Sequence, residues 1–260
     1  MENFEIGDKI YNAVKVLSST SNQIFKSINP AINALSEYVS KILKPVASFY
    51  SSMDLRNVDK EVLKKYTNRY SLFGKYGWCI PLNAPLLIQN DPKTAEDADN
   101  YLLKTINTKI LNKSFKYISK TNFFNEADLN ESISNFRAKK FKSCALLLFS
   151  IIDGLLFRVG KNYTKPLNSL NGIIKQTNSN IESYNAEYLF YKCQLCSFTN
   201  SLQTIYKHGD NFKKQPRIIN RNFLSHGMLK RDVTKCNCLK IITLLENLCF
   251  VIKQLKLKIS

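Results

Sequence analysis

Apolar residues recur at three- and four-residue steps through most of this chain, and only eight glycines and seven prolines punctuate its 260 residues. That spacing matches the turn of an α-helix and gives each segment one face to bury. The expected fold class is all-α. An apolar fraction of 44 % is ample for a core without cross-links, in one large domain or two small ones.

The first fifty residues carry the most regular pattern: Ile10, Val14, Leu17, Ile24, Ile28, Ile32, Leu35, Val39, Ile42, Val46 and Phe49 follow steps near a heptad seam, which Pro30 and Pro45 must kink or break. Antiparallel helices folding back on the chain, a coiled coil with a second copy and a membrane-surface helix are all compatible with it. Next, 70–91 holds the single tryptophan in Gly77-Trp78-Cys79-Ile80-Pro81 and reads as an irregular, partly buried connection. The expected division is therefore an N-terminal helical arm with its connection over 1–92 and a helical domain over 93–260.

Helical signals resume at Thr94, where Thr94-x-x-Asp97 has the form of an N-cap with an acidic first turn. Asp128 and Asn130 are candidate caps for a helix from about Glu131. Its stripe is Phe141, Ala145, Leu148, Ile152 and Leu155, and Gly160 ends it. A polar stretch over 168–181 reads as a loop with a short helix. A longer helix over 184–206 closes at His208-Gly209, a C-cap signature. The last helix spans about 234–255, with Cys238, Ile241, Ile242, Leu245, Leu248 and Ile252 on its apolar face.

Lys and Arg number 38 against 20 Asp and Glu, a formal charge of +18 that favours a polyanionic partner. The opening residues carry acids where a secretory signal would be cationic. The strongest apolar run, 144–157, is shorter than the roughly 20 residues a bilayer demands and contains Asp153. A cytoplasmic protein with no stable membrane insertion is expected. Seven scattered cysteines suit reduced thiols. Cys193-x-x-Cys196 and Cys236-x-Cys238 lie on or beside apolar helical stripes and read as packed thiols rather than zinc ligands. No metal or cofactor is expected.

One segment concentrates chemistry: Arg217-Ile-Ile-Asn220-Arg221-Asn222-Phe223-Leu224-Ser225-His226-Gly227 places an arginine, an amide and a histidine just ahead of an apolar helix. It resembles the HEPN ribonuclease motif, an arginine followed by a polar residue and, four to six positions on, a histidine. The wider pattern is similar to HEPN-like proteins of abortive phage infection, whose Asn-Arg-Asn is followed by two apolar or small residues and His-Gly, though here three residues, Phe223-Leu224-Ser225, fill that gap. An upstream Leu-rich helix with Asp-Gly is expected there, and 146–154, ending in Asp153-Gly154, looks like it. The resemblance covers about 140–257. It departs where Lys230-Arg231-Asp232 stands in place of an acidic stretch.

The resemblance implies a HEPN-like helical bundle with an additional N-terminal arm, and a metal-independent endoribonuclease of toxin or anti-phage type. His226 would be the acid/base, because imidazole titrates near neutral pH. Arg221 would stabilise the phosphate with a planar fork of donors. Asn222 would assist, and Asp153 would either support the cluster or cap its own helix. Lys213, Lys214, Arg217, Lys230 and Arg231 are the candidate RNA contacts. Five helical steps rotate by about 140° and rise about 7.5 Å, so Arg221 and His226 do not share a helical face, and a homodimer pairing Arg with His across a twofold is expected. An antitoxin or a phage-derived trigger would control it. The alternative is a non-catalytic nucleic-acid-binding or assembly module, and a third reading is a membrane-associating effector using 10–49.

Overall fold

The computed structural model describes residues 60–84, 90–160, 186–208, 212–255 and 257, and every regular element among them is a helix, in agreement with the all-α expectation. The heptad-like arm over 10–49 and the polar loop over 168–181 lie outside the described residues. In chain order the helices are α1 (Lys60–Lys75), α2 (Ala95–Thr105), α3 (Thr108–Ser119), α4 (Glu126–Arg137), α5 (Phe141–Gly160), α6 (Ala186–Ile205), α7 (Arg221–Ser225) and α8 (Lys235–Gln254).

Helix α8 is the axis of the core. Every residue from Asn237 to Ile252 is buried, so the single apolar face read from its sequence is in fact a helix covered on all sides, by α3, α5 and α6. Helix α1 packs along α6, and α4 along α5. The α1–α6 crossing is close at Gly74, where an added Cβ would lie 2.6 Å from both the Ser197 carbonyl oxygen and Asn200 Cβ.

Full burial obliges the polar residues of α8 to find partners. They find them on α2 and in the connection after α1. Lys240, 2 % exposed, ion-pairs with Asp99 at 2.7 Å and lies 5.3 Å over the Trp78 ring. The Trp78 indole N–H also donates to Asp99, at 2.7 Å. Asn247 donates to the Ile80 carbonyl, and Glu246 accepts from the Leu82 N–H. These side chains satisfy the backbone of an irregular segment, which is how 78–84 can lie inside the core. Trp78, Cys79 and Ile80 are wholly buried there, so the expected boundary at residue 92 cuts through one hydrophobic cluster, and 60–84 is part of that core rather than of a separate arm.

Helix ends follow the capping rules where the sequence supplies them. Thr94 and Thr234 each form a capping box, with Asp97 and Asn237 respectively. The expected single helix from about 131 to 160 is instead two. Asn125, not Asp128 or Asn130, caps α4, accepting from the Ala127 N–H. The chain then breaks at Lys139, with φ +59, where the Lys139 and Lys140 N–H groups return to Phe136 and Asn135 in a Schellman arrangement. Glycine usually marks that turn; here lysine holds the left-handed position, so the break carries no sequence signature. Gly160 ends α5 as expected.

Candidate functional site

The one-turn helix α7 accounts for the outer residues of the Asn220–Gly227 motif. Asn220 is its N-cap: Oδ1 accepts from the Phe223 N–H at 3.2 Å, and Nδ2 donates to the Lys207 carbonyl at 2.8 Å. His226 is the C-cap, and Gly227, with φ +70, takes the left-handed position after it. The Gly227 and Met228 N–H groups close a Schellman motif on Leu224 and Phe223. Phe223 and Leu224, each 2 % exposed, anchor the turn in the core. Arg221, Asn222, Ser225 and His226 are left for chemistry at the surface.

Arg221 is fixed from α5. Its Nε and Nη2 donate to Asp153 Oδ2 at 2.9 and 2.6 Å, while Nη1 donates to Asn222 Oδ1 at 3.2 Å. Asp153 is thus a partner of the arginine and not a helix cap, since α5 continues for another two turns to Gly160. The second carboxylate oxygen accepts from the Tyr206 hydroxyl at 2.8 Å. Burial, reinforced by the Asp153 charge, raises the Tyr206 phenol well above its usual range, so it stays protonated and donates. Of the five N–H bonds of the guanidinium, three are thereby committed and one remains on each terminal nitrogen. With 27 % of the side chain exposed, that end can meet an anion's oxygens.

Asn222 also donates to the Lys207 carbonyl, at 3.4 Å, so both asparagines dock α7 onto the end of α6. His226 stands apart. It is exposed, its ring packs edge-on against Phe212 at 5.6 Å, and among the described residues no hydrogen bond joins it to Arg221, Asn222 or Asp153. The fold therefore brings Arg221, Asn222 and Asp153 together and leaves the histidine at the other end of the turn.

The basic residues divide into two groups. Lys213, Lys214, Arg217 and Lys230 are exposed. Arg231 is half-buried and committed, donating to Asn237 Oδ1 at 3.1 Å and to the Arg217 carbonyl at 2.8 Å, so it ties the loop before α7 to the start of α8. Burial lowers its pKa from the ordinary arginine value. The backbone N–H of Lys230 donates to Gln215 Oε1 at 2.7 Å, a second tie between the same loops.

Tyr206 is the site residue that sequence reasoning missed, and it carries no local signal: its partner lies 53 positions away on another helix. Among the described residues no group of three or more His, Cys, Asp or Glu is placed to hold a metal ion, and no helix is long and apolar enough to cross a membrane. Comparison with protein-family models, with curated proteins and with solved structures finds no match for this chain.

Proposed function

We propose that this chain is a HEPN-type, metal-independent endoribonuclease of the toxin or anti-phage kind, acting in the cytoplasm. The observation that carries the reading is Arg221, held by Asp153 and Asn222 yet with one uncommitted, reachable N–H on each terminal nitrogen, on the same one-turn helix that exposes His226. A preorganised fork of donors stabilises charge growing on phosphate oxygens without reorganising. An exposed imidazole is free to take the proton of a 2′-hydroxyl and return one to the leaving oxygen.

Within one chain the two groups lie at opposite ends of α7. A twofold pairing of chains would set the Arg221 of one copy against the His226 of the other, which supports a homodimer as the active form. The exposed Lys213, Lys214, Arg217 and Lys230 would hold the RNA backbone, and an antitoxin or a phage-derived trigger would keep the enzyme silent or release it.

A non-catalytic nucleic-acid-binding module is the second reading, favoured by the absence of any hydrogen-bond partner that orients the His226 ring among the described residues. The deciding experiment incubates total RNA in EDTA with wild type, His226→Ala and Arg221→Ala. The nuclease reading expects cleavage by wild type that both substitutions abolish, with RNA affinity retained by His226→Ala. Uncut RNA in every state, trigger included, leaves the binding module.

A further inference from the structure

Gly154 is anomalous. Glycine weakens a helix interior, and it is normally retained there for a close approach, a left-handed turn or a cap. Gly154 serves none of these: it lies inside α5, and a Cβ added to it would meet nothing within 4 Å. What the missing side chain leaves is space, because Gly154 lines a cavity of about 340 Å³ between α5 and the turn from α3 into α4.

The opposite wall carries Phe123 and Phe124, both half-buried, with Asn122, Asn125 and Asp128 around the mouth. Arg158 braces the turn against α5, with Nη2 donating to the Phe123 carbonyl at 2.6 Å and Nε to the Gly154 carbonyl at 3.2 Å. The volume is at the small end for ligand sites, suited to a single ring system rather than an extended ligand. Asp128 and Arg158 give the lining one charge of each sign, so it carries no net charge that would select a simple ion. Phenyl rings offer a stacking surface, amides offer both donors and acceptors, and a carboxylate accepts from ring-bound amino groups.

Asp153, the anchor of Arg221, immediately precedes Gly154 on α5. Consecutive helical residues point about 100° apart with a rise of 1.5 Å, so the cavity and the arginine occupy neighbouring faces at the same level, within roughly the 10 Å diameter of the helix. A strand whose phosphate meets Arg221 can therefore place a nearby base in the cavity.

We propose that this cavity is a nucleobase subsite for the RNA handled at Arg221, selective for bases that carry an amino group, namely adenine, cytosine and guanine, over uracil. The inference rests on the reading of the Arg221 site as an RNA site, but not on catalysis there. Its test uses 2′-O-methyl hexaribonucleotides of adenosine, cytidine and uridine, which cannot be cut through the 2′-position. Their affinities are measured by fluorescence anisotropy with the full chain.

Wild type is expected to bind the adenosine and cytidine hexamers about tenfold more tightly than the uridine hexamer, the discrimination that one paired base edge supplies. Gly154→Leu, which fills the cavity, and Asp128→Ala, an exposed change, are each expected to bring that ratio to about one. Gly154→Ala is expected to keep it. Equal or absent binding of all three hexamers by wild type, or a ratio unchanged in Gly154→Leu and Asp128→Ala, overturns the subsite. If the preference behaves as expected while natural RNA stays uncut in every state, trigger included, the subsite stands and the nuclease reading falls.

Discussion

At the scale of single residues, the site is a chain of three side chains from three parts of the fold: Tyr206 donates to Asp153, and Asp153 accepts from Arg221. The pair is mostly shielded, with 27 % and 19 % of the two side chains exposed, so it contributes more than a surface ion pair. Asp153→Ala is expected to lower the unfolding free energy by about 2 kcal/mol, and Tyr206→Phe by about 1 kcal/mol, both read from urea denaturation. His226 is exposed and touches one ring, so His226→Ala should change stability by less than about 0.5 kcal/mol while removing cleavage. Equal losses of stability and activity on that substitution would make the histidine structural. Arg221 and His226 are legible in the sequence because a one-turn helix brings its own caps, Asn220 and Gly227. Tyr206 is not legible, because its place beside Asp153 depends on how α5 and α6 both pack against α8.

At the scale of elements, two helical glycines have opposite roles. Gly74 lies where α1 and α6 cross, and Gly74→Ala forces a Cβ to 2.6 Å from α6. Its cost in strain, about 1–3 kcal/mol, should exceed the gain of up to about 1 kcal/mol in helix propensity. Gly154→Ala meets nothing and should raise stability by about 1 kcal/mol. The paired denaturation midpoints should move in opposite directions. Helix α8 carries the other element-scale prediction. Burial raises the Glu246 carboxyl from its usual 4.5 to about 7, against the lowering effects of the Ser114 hydroxyl and the Leu82 N–H. A carboxyl protonated more readily in the folded state than in the unfolded one adds stability that is complete below about pH 4.5 and lost as pH rises through about 7. The loss amounts to roughly 3 kcal/mol. Glu246→Gln should remove that slope from a pH series of denaturation curves, and a series unchanged by the substitution would place the titration elsewhere.

At the scale of the whole molecule, charge dominates the encounter with a partner. A net +18 attracts nucleic acid over a Debye length, and the exposed Lys213 and Lys214 lie in the loop that leads into α7. Replacing both with Ala should reduce the slope of log affinity for single-stranded RNA against log salt by about 1.4, and weaken all sequences alike. Arg231→Ala should behave differently. Its guanidinium is bound to Asn237 and to the Arg217 carbonyl, so its loss loosens the loop and lowers stability before it alters the salt slope.

Periodicity determined the helical class and the closing apolar helix, and residue types at close spacing marked the short motif, because these depend on neighbours three to eight residues apart. Capping chemistry determined where α2 and α8 begin, since Thr94 and Thr234 act on their own backbones. Tertiary structure alone decided the rest. It buried α8 on every side, drew Trp78 and the connection around it into the core through Lys240, Glu246 and Asn247, and split the long helix at a lysine where a glycine would have announced the turn. It also gave Asp153 to Arg221 across 68 residues of chain. A local pattern reports which face of a segment avoids water; which distant group satisfies a buried charge is decided only when the packed helices exclude the water that would otherwise have done so.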